Sequence, residues 1–150
     1  IRGLRSDVAK DKAVWTKSGT VRFNSSADDS GAISQTGQNV PSIRLNDILK
    51  EEQQVDLLKL DIEGAEYDVV LDCVELLGKV KHLIVEAHIL EDPLSKPSRL
   101  GRLLSVIEEA GFKYVLGDLH QATWIEGNTK PPFGSFSTDR FICTIFAWQS

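Results

Sequence analysis

Residues 55–67 read VDLLKLDIEGAEY, and the spacing of apolar and acidic residues in that stretch decides the fold. Val55, Leu57, Leu58, Leu60 and Ile62 make a run too apolar for a half-exposed hairpin strand. A parallel strand covered on both faces is therefore expected. It stops on two carboxylates and a glycine and turns directly into a helix, expected from Ala65 to Leu77. Val69, Cys73, Leu76 and Leu77 fall on one stripe of that helix, and Gly78 is placed to stop it. In open α/β sheets, ligands sit beyond the carboxyl ends of the strands. Asp61 and Glu63 fall at that end, and two residues apart in an extended segment they point to the same side. Gly64 between strand and helix implies a tight approach or a positive φ.

Working outward, Val80 to Ala87 is a second buried strand, rich in Val, Ile and Leu, and it runs out through Glu86, Ala87 and His88. Ser98 caps a helix whose apolar stripe is Leu100, Leu103, Leu104, Ile107 and Ala110, with Gly111 as its end. Phe112 to Leu116 is a third strand and Arg140 to Trp148 a last one. Between them, residues 117–138 are irregular and carry Trp124 and the Pro131-Pro132 pair. Upstream, Ala13-Val14-Trp15 and Thr20 to Phe23 are β-prone runs around the turn chemistry of Lys17-Ser18-Gly19, which predicts a hairpin. Asn24 to Asn39 reads as a loop, Val40 to Leu45 as a short strand, and Asn46 as the cap of a brief helix over Asp47 to Glu52. The order of elements predicts an α/β protein in which helical crossovers join parallel strands, with an antiparallel closing pair.

Two adjacent parallel strands that both end in acids bring Asp61, Glu63, Glu86 and His88 to one edge. Such a group can hold a divalent cation through oxygen and imidazole ligands, or present a base to a substrate hydroxyl. The same residues have structural uses. Glu63 and Glu66 stand at a helix start, where negative charge gains about 0.3–1 kcal/mol, and Lys59 can neutralise Asp61 as an ion pair. Asp61 is the hardest to assign to structure alone, because a carboxylate closing a buried strand needs a positive or hydrogen-bonding partner. His82 and His120 carry no claim, and Trp15, Trp124 and Trp148 read as packing residues.

The chain has 150 residues, 41% hydrophobic and 26% charged, with a net charge of −5. That is the composition of one ordinary soluble domain with a core of its own. The acidic balance argues against nucleic acid as a partner. No apolar run approaches a membrane span, and the start carries no signal-peptide pattern. Cys73 and Cys143 lie in apolar contexts and read as small core residues. The chain opens on Ile1 and contains no methionine, so it is expected to be the C-terminal part of a longer protein, cytoplasmic or tethered by an anchor preceding Ile1.

The segment LLKLDIEGAEYDVV (residues 57–70) resembles the hallmark of the FkbM-type S-adenosylmethionine-dependent methyltransferases. The AVW…SGTVRF segment (residues 13–23), the Ser30-Gly31 loop, the IRLNDIL run (residues 43–49) and the LIVEAHI strand (residues 83–89) agree with it in order. The resemblance implies a Rossmann-like class I methyltransferase fold, a mixed sheet with mainly parallel central strands. It is incomplete here, because the N-terminal cofactor-binding strands and their glycine-rich loop would precede Ile1. It implies methyl transfer to a hydroxyl oxygen of a sugar or small natural product. Asp61, Glu86 and His88 would be catalytic, Asp61 and Glu63 would bind S-adenosylmethionine, and Ser30 and Gly31 would contact a small-molecule or glycan acceptor. A divalent metal held by Asp61, Glu86 and His88 is a weaker expectation. The chain alone is expected to bind the cofactor poorly and to be inactive. The alternatives are a non-catalytic binding module on the same scaffold and a metal-dependent hydrolase using the acidic strand ends.

Overall fold

A computed structural model describes residues 11–25, 31–33, 37–89, 99–121 and 141–149. Strands β1 (Ala13–Trp15), β2 (Gly19–Ser25), β3 (Gly31–Ile33) and β4 (Gln38–Arg44) form one sheet in the order β1-β4-β2-β3. Strands β5 (Val55–Leu60), β6 (Val80–Ile89), β7 (Lys113–Gln121) and β8 (Phe141–Trp148) form a second in the order β5-β6-β8-β7. Helices α1 (Leu45–Glu51), α2 (Glu66–Asp72) and α3 (Arg99–Glu109) connect them, and a 3-10 helix (Val74–Lys79) continues α2. The architecture is the mixed α/β one that the order of elements predicts. Among the described residues, pairing is parallel at β5–β6 and β1–β4 and antiparallel elsewhere. β8 enters antiparallel between β6 and β7, so the closing pair runs as expected.

Alternation along the strands decides where the core sits. Leu58 and Leu60 of β5 lie in register with Leu83 and Val85 of β6. Leu60, Leu83 and Val85 join Val69, Val70, Leu77, Leu103 and Ile107 of the helical layer in one buried cluster, with Leu58 packed against it. The odd face is different. Leu57 is level with His82 and Trp148, and Ile84 is level with Phe146 and Val115. Leu57, Trp148, Phe146 and Val115 are all exposed. Coverage of β5 on both faces therefore does not hold among the described residues: β5 is an edge strand, and Leu57 is 56% exposed.

Three local expectations are corrected. Residues 13–15 and 19–25 do not pair with each other; β1 runs parallel to one edge of β4 and β2 antiparallel to the other, so that Ser42 faces both Ala13 and Gly19. This places Val14 and Trp15 against the main core, which a hairpin on β2 would have kept apart from it. The loop expected over residues 24–39 contains β3, paired with the end of β2. The expected helix from Ala65 to Leu77 ends at Asp72, where Cys73 N–H donates to the Val70 carbonyl and Leu76 N–H to the Cys73 carbonyl. These tighter turns carry Leu77 into the core and leave Leu76 only partly buried. Gly78 lies inside the 3-10 helix, and the strand starts at Val80.

Asn46 does not cap α1. It sits in the first turn, and its Nδ2 donates to the Asp72 carbonyl at 3.0 Å, one of the acceptors left open at the end of α2. Arg44 clasps the Asp72 carboxylate with two bonds, Nε to Oδ2 at 2.8 Å and Nη2 to Oδ1 at 2.7 Å, and so ties the first sheet to α2. Gly111 ends α3 at φ +90°, with Phe112 N–H returning to the Ile107 carbonyl, as its position in the sequence predicts. Ser98 and residues 122–140, the bulk of the expected irregular segment, lie outside the described residues.

Ile107 is fully buried and Leu57 open, so one substitution at each separates core from bare face. Ile107→Ala should lower unfolding free energy by about 2–5 kcal/mol and Leu57→Ala by no more than about 0.5 kcal/mol. Urea titration of the two variants checks this, and comparable losses would show that something covers the Leu57 face.

Candidate functional site

Parallel pairing of β5 with β6 (Lys59 with Ile84, Leu60 with Val85) brings both carboxyl ends to the same edge. Beyond Leu60 the chain passes through Asp61 and Ile62 into a turn closed by Ala65 N–H on the Ile62 carbonyl at 3.3 Å. Both central residues have positive φ, Glu63 at 53° and Gly64 at 97°. For glycine this is free; for Glu63 it is a left-handed conformation that non-glycine residues adopt at a cost of about 1–2 kcal/mol. The turn aims Glu63 back across the strand ends.

Glu66, the first residue of α2, holds that turn. Its side chain is 3% exposed. Oε1 accepts the Ile62 N–H at 2.9 Å, and Oε1 and Oε2 share the Gly64 N–H at 3.2 and 3.1 Å. The same Oε1 lies 2.9 Å from Nδ1 of His88, near the end of β6. The ring of His88 is 4% exposed, and its other nitrogen, Nε2, lies 3.5 Å from Glu63 Oε2. Asp61 Oδ2 is 2.9 Å from Lys59 Nζ, the ion pair that the spacing of the two residues allows. One donor atom each from Asp61, Glu63 and His88 lie within 4.8 Å of one another. Two carboxylate oxygens and an imidazole nitrogen can hold a hard divalent cation, although Lys59 already occupies one Asp61 oxygen.

The expected residues are therefore placed unequally. Asp61, Glu63 and His88 come together. Glu86 stays outside that group, partly buried on the same face of β6 as His88, and acts on His88 and Lys59 through its charge. Ser30 lies outside the described residues, and Gly31 opens β3 in the other sheet, paired with Ser25. The residue the pattern undervalues is Glu66, read as a helix-start charge. A signal for it existed: a glutamate opening a helix can reach back to free N–H groups of the preceding turn.

Burial pushes the His88 pKa down, but the hydrogen bond and charge of Glu66 and the charges of Glu63 and Glu86 outweigh it, so it lies above its ordinary 6.5. The hydrogen bond to Asp61 raises the Lys59 ammonium. Neither cysteine is primed for chemistry: both are free and buried, and burial pushes the Cys73 thiol up to about 12. A narrow cavity of about 10 Å³, bordered by Gly64, Glu66, Tyr67, His88 and Arg99, adjoins the ring and has room for about one water. A wider cleft of about 620 Å³ opens at the other end of α2, around the Arg44–Asp72 pair.

The raised pKa fixes a sign. Folded protein holds the His88 proton more tightly than unfolded chain, so the contribution is complete below 6.5 and is lost as pH rises through the folded value. Urea midpoints measured from pH 6 upward should fall across that window, and His88→Gln should flatten the slope. A midpoint that climbs there in the wild type contradicts the assignment.

No curated protein and no solved structure is significantly similar to the chain. A family profile described as the Methyltransferase FkbM domain matches residues 3–114. The match takes in both parallel strand pairs, the β5–α2 turn and every residue of the cluster at the strand ends. The chain belongs to the methyltransferase FkbM domain family.

Proposed function

We propose that this chain is the acceptor-side half of an S-adenosylmethionine-dependent O-methyltransferase, acting on a hydroxyl of a sugar or small natural product. One observation carries the reading: in a methyltransferase-family chain, His88 Nε2 faces Glu63 and Asp61 at the shared end of two parallel strands. The donor set suits a cationic cofactor. Asp61, Glu63, Glu66 and Glu86 outnumber the positive partners Lys59 and His88, and Asp61 and Glu63 are about one-third exposed. They are the residues to hold the amino-acid end of the cofactor. No GxGxG-like stretch occurs in the 150 residues, so the adenosine end finds no binding loop in this chain.

S-Adenosylmethionine supplies, when bound, an electrophilic methyl group on a sulfonium. His88 would take the acceptor's hydroxyl proton at Nε2, while the transferred methyl would part from its sulfur, which keeps the C–S electron pair as a neutral thioether. The imidazolium that forms is stabilised by Glu66 at Nδ1 and by Glu63 at Nε2, and Glu86 adds its charge. Asp61 and Glu63 fix the orientation in which donor and acceptor meet.

The same reading makes the chain one domain, the C-terminal part of a Rossmann-like sheet. Among the described residues β5 has a neighbour on one side only, and its other edge and the apolar rows of Leu57 with Trp148 and Val115 with Phe146 are the surfaces on which preceding strands and helices would pack. Among the described residues, no helix is long and apolar enough to cross a membrane.

The test is methyl transfer by the full-length protein. His88→Gln should lower kcat by about 10²–10⁴-fold, and Asp61→Asn should lower turnover sharply while the circular dichroism of both variants stays that of the wild type. Because the base must be neutral, wild-type kcat/KM should rise with pH along a limb above 6.5 that His88→Gln lacks. Turnover within a few-fold of wild type in both variants overturns the proposal. So does product formation that needs a divalent ion and no methyl donor.

A further inference from the structure

Resting on that reading, we infer that Glu66 is a positioning residue for the reaction: its buried carboxylate holds His88 as the Nδ1–H tautomer and leaves Nε2 as the nitrogen that exchanges the proton. Carboxylate oxygens only accept hydrogen bonds. With Glu66 Oε1 2.9 Å from Nδ1, the hydrogen of that bond belongs to the ring. A neutral imidazole carries one N–H, so its lone pair is then on Nε2, on the side of Glu63 and Asp61. Without an acceptor at Nδ1, the neutral ring is free to carry its hydrogen on Nε2, and a ring in that state cannot take a proton there.

Glu66 is itself fixed, because Ile62 N–H and Gly64 N–H both point into it. One carboxylate thus ties the turn that displays Glu63 to the histidine that faces it across the strand ends. The ionisable groups around the ring are Glu66 and Glu63 in contact, Glu86 and Asp61 nearby, and Tyr67 and Arg99 across the small cavity beside it. Of these, Glu66 alone meets Nδ1 among the described residues.

Two substitutions separate positioning from mere support of the turn. In Glu66→Gln the amide oxygen can take the place of Oε1 and still accept from Ile62 N–H and Nδ1–H, while the charge is gone. In Glu66→Leu no acceptor remains. Two-bond ¹H–¹⁵N correlation spectra of the imidazole, recorded without donor or acceptor, read the tautomer directly. Wild-type His88 in its neutral form should carry hydrogen on Nδ1 and none on Nε2. Glu66→Gln should keep that tautomer with a pKa below the wild-type value, and the acid limb of kcat/KM should move down with it. Glu66→Leu should place hydrogen on Nε2 and lose kcat by up to the about 10²–10⁴-fold that a general base supplies. A wild-type ring protonated at Nε2 when neutral overturns the inference, as does a His88 pKa in Glu66→Gln that is unmoved or raised. Should Glu66→Leu fail to fold, the glutamine variant still decides. The spectra need no turnover, so the tautomer assignment stands even if His88→Gln proves as active as wild type, a result that would overturn the proposed reaction and with it the part of Glu66 in that reaction.

Discussion

The parallel pairing of β5 with β6 is the constraint on which the remainder of the molecule depends. Two strands that run the same way must be joined by a crossover, and here it is the turn, α2 and the 3-10 helix between Leu60 and Val80. The crossover returns over one face of the sheet, which buries Val69, Val70, Cys73 and Leu77 against Leu60, Leu83 and Val85. The chain must therefore leave β5 abruptly. It does so through Glu63 and Gly64 at positive φ, and the backbone N–H groups turned loose there are gathered by Glu66. Site geometry follows from crossover geometry: the strand ends are level, the turn sits above them, and the first side chain of the helix reaches the last histidine of the neighbouring strand.

A carboxylate removed from water must find donors or lose its charge. Glu66 has three, two from the backbone and one from His88. Deleting either partner leaves the other buried with an unmet hydrogen-bonding atom, at a cost of about 1–3 kcal/mol, so Glu66 and His88 hold each other in place. The acidic surroundings favour the protonated ring over the neutral one, which makes its neutral form a stronger base than a free histidine. A positive charge arriving beside Glu63 and Asp61 lowers that preference and returns the ring to the form that accepts a proton.

Much of this arrangement is legible in the sequence because it depends on short-range rules. Gly64 and Gly111 mark positive φ where a strand-to-helix turn and a helix end require it. The run from Val80 to His88 announces a strand, and the two-residue spacing of Glu86 and His88 announces a shared face. What escapes depends on contacts between distant segments. The sequence around Lys17-Ser18-Gly19 has hairpin chemistry, yet β4 offers two free edges, and pairing there brings Val14 and Trp15 to the core. Leu57 looks like a core residue because a run of leucines does not say whether a sheet has a second covered face. Glu66 looks like a helix-start charge because its partners come from four and two residues back and from a strand twenty-two residues on. Asn46 has the composition of a cap, but its side chain instead donates through Nδ2 to the open carbonyl of Asp72.

The acidic residues divide by exposure into a fixed half and an exchangeable half. Glu66 and His88 are 3% and 4% exposed and locked together; Asp61 and Glu63 are 35% and 37% exposed. The Lys59–Asp61 contact lies on the exposed side, where an ion pair contributes about 0–1 kcal/mol. A cationic ligand can displace Lys59 at little cost, whereas separating His88 from Glu66 leaves a buried carboxylate short of a donor. Glu63 stands between the halves. Its backbone is held in a left-handed conformation by the turn that Glu66 clamps, and its carboxylate is open to solvent on one side and to Nε2 on the other. Glycine would fill that backbone position with less strain. A glutamate there sets a carboxylate beside the two strand ends in spite of that strain.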